Sequence, residues 1–547
     1  MGTRWLVLRA VLTLASPLLA GPATGQPPPA GFHAYLMDDA FASIHASPRT
    51  VAVRLQVTAL AGRPLSVTVP WVLRRLPDGK AVGQGRVRLR APARGEAVAR
   101  LPFPRRAGYG LFEYVVRATA DGPTTNLEHR VTVMRAPPPD RDMESLGLNI
   151  HVASDNTARL LRRMGIRWAR VDWNWGDREP SRGNIAWDFL GGMVDVAERH
   201  GLKLFPVLTY VPAWARQPDG VFLPEDHASY VGRVLSRYRG RIQAFDVWNE
   251  PEGDSPMSAT KNPALWVADL KAVRQAALTA DPNCKMVGIA LSGNPGDPGS
   301  WNLPLLEPPH SIGQYLDAYD WHSYPAPRNR RPEGTERASS VDGLKEWAPR
   351  VRALVAGRGV WITEHGYTTC DPHDPRVVEL ARSWPAGAPF DVTEKQQGDY
   401  LVRQTLLELA HGIDRVFLYQ LGPDGPGGST EDQFGITRAR PGASAGPDLS
   451  AKVAYPRLAA MVQEIAGTHA VRVEIPSPTV RVVRFRRGGT DVVAVWTVEG
   501  AADLRFRMTS GYLSDPFGNR AARQGRFAVR ATESPVYLVG SSVSLTD

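Results

Sequence analysis

Hydrophobic and polar positions change their period twice along this chain. Between residues 31 and 136 they alternate. Val51-Ala52-Val53-Arg54-Leu55-Gln56-Val57, Leu65-Ser66-Val67-Thr68-Val69 and Phe112-Glu113-Tyr114-Val115-Val116-Arg117-Ala118 run between Gly, Pro and Asp turns. A period of two sends one strand face to a core and the other to water, so the segment predicts an N-terminal β-sandwich. Ala136-Pro137-Pro138-Pro139-Asp140 closes it, because proline has no amide to offer a further strand.

From residue 144 to 465 strand-like runs alternate with amphipathic helices. Eight strands are expected, at 146–151, 167–172, 203–208, 244–250, 285–290, 318–323, 359–364 and 414–420. The helix punctuation agrees. Asn262-Pro263 reads as a cap followed by proline at the first helical position, and Thr393 with Gln396 as a capping box. Val402, Thr405, Leu406, Leu409 and Ile413 recur at helical spacing, and His200-Gly201 suits a helix C-terminus. Eight such units fit an α/β chain folded as a (β/α)8 TIM barrel. A doubly wound sheet would carry a glycine-rich phosphate turn after its first strand, and Asn149-Ile150-His151-Val152-Ala153-Ser154-Asp155 has none. Alternation returns in 480–485, 491–496 and 534–539, which predicts a small C-terminal β-domain over 466–547.

Composition adds bounds. A chain of 547 residues with 43% hydrophobic and 22% charged positions is long enough for a large core and smaller flanking domains. The net charge is +10, but the basic residues run the length of the sequence and 57 of the 65 are arginine. This reads as coding bias rather than a nucleic-acid patch, and leaves an acidic polysaccharide open as a preference. Cys284 and Cys370 are too few for a disulfide framework; they are either free, which is the expectation, or joined in a single bridge. Residues 1–26 read as an export signal: Arg4 and Arg9, an apolar stretch from Ala10 to Ala20, then small residues. No other segment is apolar enough to span a bilayer.

The chemistry sits in two places. Phe245-Asp246-Val247-Trp248-Asn249-Glu250-Pro251-Glu252 and Val360-Trp361-Ile362-Thr363-Glu364-His365-Gly366 are apolar runs that stop on a glutamate beside a turn residue. A carboxylate closing a buried strand is costly to keep charged, so packing alone does not explain it. Two of them, at the ends of the fourth and seventh strands, would meet at the mouth of one barrel. Paired carboxylates there are what glycoside hydrolysis needs. Arg170, ending the second strand, could hold Glu364 ionised or pair with Asp172 or Glu179. His322 and Tyr324 share a strand face and could orient Glu364, or form a polar rim; His151 has the same two readings. Trp173, Trp175, Trp214 and Trp301 fall in loops where indoles could stack on sugar rings, and about half are expected to do so.

With Asn249-Glu250-Pro251 ending strand four and Glu364 ending strand seven, the barrel resembles clan A of the retaining glycoside hydrolases. Trp361-Ile362-Thr363-Glu364-His365-Gly366 and the trailing Ser534-Pro535-Val536-Tyr537-Leu538 make it most similar to family 39-like members, exopolysaccharide endoglycosidases and β-xylosidases among them. The resemblance covers residues 144–465. It implies that Glu250 is the acid/base, with a raised pKa, and Glu364 the nucleophile. It also implies that Asn249 binds the sugar 2-hydroxyl. Such barrels carry a Trp at the end of strand eight; this chain has Phe417-Leu418-Tyr419-Gln420, so Tyr419 or Gln420 takes that place.

The sequence carries no metal-binding, redox or phosphate-binding motif, and no cofactor is implied. The expectation is an exported hydrolase that cleaves O-glycosidic bonds of a poly- or oligosaccharide with retention. A non-catalytic sugar-binding barrel and a transglycosidase are the alternatives. Sugar, linkage and oligomeric state are not legible.

Overall fold

The computed structural model describes residues 32–120, 124–138, 140–253, 255–297, 299–324, 331–333, 343–369, 392–422, 431–438 and 450–546. The expected export signal and Cys370 lie outside these residues.

The first eight strands are β1 (Phe32–Met37), β2 (Ile44–His45), β3 (Arg54–Ala59), β4 (Leu65–Leu76), β5 (Lys80–Ala91), β6 (Glu96–Arg100), β7 (Gly110–Thr119) and β8 (Thr124–Val133). They form two sheets, ordered β1-β3-β6 and β2-β8-β7-β4-β5. Leu55, Val57, Val67, Val69, Leu73, Tyr114, Val116 and Val131 share one core between them. The alternation in the sequence is therefore a sandwich, as expected.

The barrel strands are β9 (Met143–His151), β10 (Ile166–Asp172), β11 (Lys203–Val207), β12 (Ala244–Asp246), β13 (Lys285–Val287), the short β14 (Leu291–Ser292), β15 (Ala318–His322), β16 (Gly359–His365) and β17 (Arg415–Leu418). All pair in parallel in the order β13-β12-β11-β10-β9-β17-β16-β15-β14. Val287 of β13 pairs with Ala318 of β15, which closes the ring. β14 prolongs the fifth strand, so the barrel has the eight staves expected. Asn262 caps the helix Pro263–Ala280 through Leu265, and Thr393 and Gln396 form a capping box on Glu394–Ala410. Gly201 ends Trp187–His200 at φ +64°.

Inward positions two residues apart stack in layers. Trp168, Phe205, Ala244, Val287, Ala318, Trp361 and Phe417 make an apolar floor. One step towards the C-terminal ends, the inward positions change to Arg170, Asp246, Asp320 and Thr363, all buried. Buried polar groups of this density require mutual pairing, and they sit directly beneath the two glutamates.

After β18 (Thr437–Arg438), β19 (Ser450–Ala451) and the helix Ala454–Ile465, the chain enters a seven-stranded sheet. Its strands are β20 (His469–Ser477), β21 (Val480–Arg487), β22 (Thr490–Thr497), β23 (Ala501–Ser514), β24 (Arg520–Thr532), β25 (Val536–Ser541) and β26 (Ser544–Thr546). Ser534 and Pro535 precede the strand expected there. Polar bonds tie the three parts together. Arg130 of β8 donates to both oxygens of Glu394 at 2.8 and 3.0 Å, and Asn519 exchanges hydrogen bonds with the Tyr109 backbone at 2.8 and 3.0 Å. Among the described residues no helix is long and apolar enough to cross a membrane.

Candidate active site

The two glutamates reach one place by different local devices. The fourth strand stops at Asp246, four residues before Glu250, which corrects the expectation that it runs to 250. Pro251 cannot extend a ladder, and Glu250 takes φ +46°. The Glu250 amide donates to the Ala290 carbonyl at 3.1 Å, and the Ala290 amide donates to buried Asp320 at 3.0 Å. The irregular tail of strand five thus holds that of strand four. On β16 strict alternation would aim Thr363 inward and Glu364 outward. Trp321 pairs with Ile362 but His322 with Glu364, so Thr363 is an extra residue. That bulge lets Thr363 donate to Asp320 while Glu364 also turns into the barrel. Gly366 follows because a Cβ there would lie 2.2 Å from the Tyr419 carbonyl.

One carboxylate oxygen each of Glu250 and Glu364, with His322 Nδ1, lie within 4.8 Å of one another. Glu364 is 11% exposed at its side chain and Glu250 41%, so the first is set deeper in the barrel mouth and the second faces solvent. Arg170 Nη1 donates to Glu364 Oε1 at 2.6 Å, and the Tyr324 hydroxyl donates to Oε2 at 2.9 Å. Burial pushes the Tyr324 hydroxyl well above its ordinary range, which keeps it a donor. His322 Nδ1 stands 2.8 Å from Glu250 Oε1 and 3.4 Å from Glu364 Oε2. Burial disfavours its charged ring, yet the carboxylates of Glu364 and Glu250 outweigh this and raise its pKa.

Arg170 is the hub. Its Nε and Nη2 donate to Asp246 at 3.2 and 2.9 Å, Nη1 also to Asn149 at 3.0 Å, and Nη2 to Asn249 at 2.9 Å. It pairs with Asp246 and Glu364, not with Asp172 or Glu179. Asn249 passes the chain on, donating to the Tyr210 hydroxyl at 3.1 Å. Burial lifts Asp246 well above the usual carboxylate range, Asp320 adds to this, and Arg170 opposes it. His151 lies at the edge, between Asp172 and Gln420 at 2.6 Å each, with its ring edge-on to Tyr419. The Tyr419–Gln420 peptide is cis.

Two expected sugar platforms are not available. Trp173 and Trp175 are fully buried. Trp173 packs on Tyr238, and Trp175 stacks on His227 and Tyr230 while donating to Glu179 at 2.8 Å. The loop after β10 folds back as a short helix and turns both indoles into the core. Trp214 stays half-buried, with its N–H on the Glu179 carbonyl and Arg182 over its ring; Trp301 is half-buried against the core. An aromatic ring that is exposed at the site is Tyr210, 47% exposed and edge-on to Trp248. It went unread in the sequence because Thr209-Tyr210-Val211-Pro212 is an ordinary loop string; its φ of +63° is set by the fold. Asp246 and Asp320 went unread too, since inward polar residues in mid-strand look like errors of period.

Glu250, His322 and Glu364 are also donor types that a divalent cation takes. Arg170 and Tyr324 already occupy both oxygens of Glu364, so a cation would compete with a buried guanidinium.

Glu252 adds a third carboxyl. It accepts from the Ser292 amide, and its other oxygen is buried with no partner among the described residues. Burial raises its pKa from 4.5 to about 7, despite its backbone hydrogen bonds, and Glu250 adds to the rise. The folded chain therefore holds a proton here that the unfolded chain releases, so this stability is full at low pH and is lost as pH rises through about 7. Glu252→Gln is expected to be more stable than the parent at pH 8 by about 2 kcal/mol, and equal to it at pH 4.5. Thermal midpoints of both proteins at the two pH values test this; parallel pH dependence would refute it.

No family model matches the chain. Over 115 residues it is 34% identical to endo-1,4-beta-xylanase 2 of Claviceps purpurea, a match covering 20% of this chain and 35% of that protein. The chain thus spans about a third of that relative's length. Among solved structures it is similar to a GH30 endoxylanase from Clostridium papyrosolvens C71, at 15% identity over 74% of this chain and 97% of that one, with a TM-score of 0.47. A glucosidase from Croceicoccus marinus aligns over the same shares at 12% identity and a TM-score of 0.48.

Proposed function

We propose that the chain is a retaining glycoside hydrolase of clan A character, with family 39-like affinities, acting on a β-linked poly- or oligosaccharide. The observation that carries this reading is the convergence of Glu250 and Glu364, with oxygens within 4.8 Å. Carboxyl groups about 5–5.5 Å apart leave no room for a water between base and sugar, so the second carboxylate must attack the anomeric carbon itself.

In this reading Glu364, fixed by Arg170 and Tyr324, forms the glycosyl-enzyme bond while Glu250 gives its proton to the departing oxygen. Glu250 then takes a proton from the water that breaks the ester. His322 positions both carboxylates, and its Nδ1 proton can follow whichever is charged. Asn249 offers its amide to the 2-hydroxyl, and Tyr210 and Tyr419 flank the sugar. Export through the first 26 residues belongs to the same proposal.

A 2-deoxy-2-fluoro β-glycoside with an activated leaving group tests it. The expected outcome is a stable mass increase of one glycosyl unit on the peptide holding Glu364, and first-formed product of retained configuration by NMR. Inverted product would refute the mechanism, and a protein that neither reacts nor turns over would favour a sugar-binding barrel. Product partition towards sugar acceptors would mark a transglycosidase.

A further inference from the structure

The positive surplus of this chain is unevenly placed. Residues 32–138 hold 16 Lys and Arg against 7 Asp and Glu, whereas residues 139–465 hold 36 against 41. The barrel is acidic, and the N-terminal sandwich is the largest source of the positive surplus, ahead of residues 466–547 with 11 against 7.

On the outer face of the five-stranded sheet this charge is ordered. Arg86, Arg88 and Arg90 occupy alternate positions of β5, all exposed, opposite Pro70, Thr68 and Ser66 of β4. Thr119 of β7 faces Thr68, and Arg117, also exposed, faces Asn126 of β8. The two-residue step along β5 sets the Cα atoms of its arginines about 7 Å apart on one face. Among the described residues none of these four arginines has a carboxylate partner. Glu113 on that face is paired with Arg130 at 3.2 Å, and Glu128 stands on β8, diagonal to Arg117 with no ion pair to it and three strands from β5.

Charge on an edge strand guards against unwanted pairing, which accounts for part of β5. It does not account for Arg117, two strands inside the sheet, or for the row of hydroxyls between the arginines. Four cations without an ion-pair partner on one sheet face repel one another, and a bound polyanion relieves that repulsion. The guanidinium fork matches a carboxylate with two parallel hydrogen bonds. Among the described residues this face bears no aromatic ring on which bases could stack.

We propose that this sheet face binds a carboxylate-bearing polysaccharide and holds the polymer while the barrel works on it. The polymer's class rests on the glycosidase reading; its charge rests on the sheet alone. Several weak contacts along one chain multiply into useful affinity, so losing a row of them should be felt strongly.

The test uses the full-length protein, polygalacturonate as probe, and affinity gel electrophoresis. The parent is expected to be retarded, with binding about tenfold weaker at 0.5 M salt because exposed charges are screened there. Arg86→Ser, Arg88→Ser and Arg90→Ser together should weaken binding at least about tenfold, with thermal midpoint and hydrolysis of a small aryl glycoside unchanged. Equal retardation of parent and variant would overturn the proposal, as would no retardation of the parent. Equal affinity for double-stranded DNA or phosphatidylserine vesicles would overturn it too, by showing a general polyanion surface. Aryl glycoside turnover is read separately, so its absence strikes the glycosidase reading and leaves the binding result to stand.

Discussion

Glu364→Gln is expected to lower kcat/KM on an aryl β-glycoside by about 10^4-fold or more, since removing a nucleophile that acts as part of a unit forfeits nearly the whole chemical step. The effect should sit in kcat. The amide keeps the carboxylate's shape, so the site stays assembled and KM moves little. Glu250→Gln behaves differently. With a leaving group that needs protonation the loss should be about 10^2- to 10^4-fold, whereas a dinitrophenolate leaves unaided and the first step should survive. Steady-state and burst kinetics on the two substrates separate these patterns. Identical losses for both variants on both substrates would contradict the division of roles.

The second large effect is structural. Arg170 is 2% exposed and bonds Asp246 and Glu364, themselves buried. Arg170→Met should cost about 3–5 kcal/mol, because deleting one partner leaves uncompensated charge in a low-dielectric interior. The chain can lessen the penalty by protonating Asp246, so the loss should be smaller at pH 4 than at pH 8. Arg170→Lys should not restore stability, because a point cation cannot reproduce the fork that meets Asp246, Glu364 and Asn249 at once. Denaturant midpoints at both pH values check this, and a neutral Arg170→Met would show that the hub does not hold the site.

Much of this was legible beforehand because it depends on periods. Alternation marks a half-buried strand wherever it occurs, and the eight staves lie where the apolar runs put them. Caps such as Asn262 and Thr393 are local chemistry and were readable for the same reason. The two glutamates were readable because a charge ending an apolar run has no packing explanation. What was not readable depends on partners distant in sequence. The bulge at Thr363 exists because β15 and β16 slip by one residue, which neither strand records alone. Trp173 and Trp175 look like loop residues until Tyr230 and Tyr238, more than fifty positions on, cover them. Tyr210 is the converse, an unremarkable loop residue that the fold leaves uncovered beside Asn249.

The salt link from β8 to the first turn of Glu394–Ala410 bears on how this protein can be cut. Glu394 is 13% exposed, and burial alone would favour its neutral form. Arg438 and Arg130 instead hold its pKa down near 2. Excising residues 32–138 removes one of those two cations and bares the helix cap beside it. The barrel is therefore not a cleanly detachable cassette: a truncated catalytic fragment would keep Arg438 on Glu394 but lose Arg130, and would carry a raw seam where the leading domain had rested.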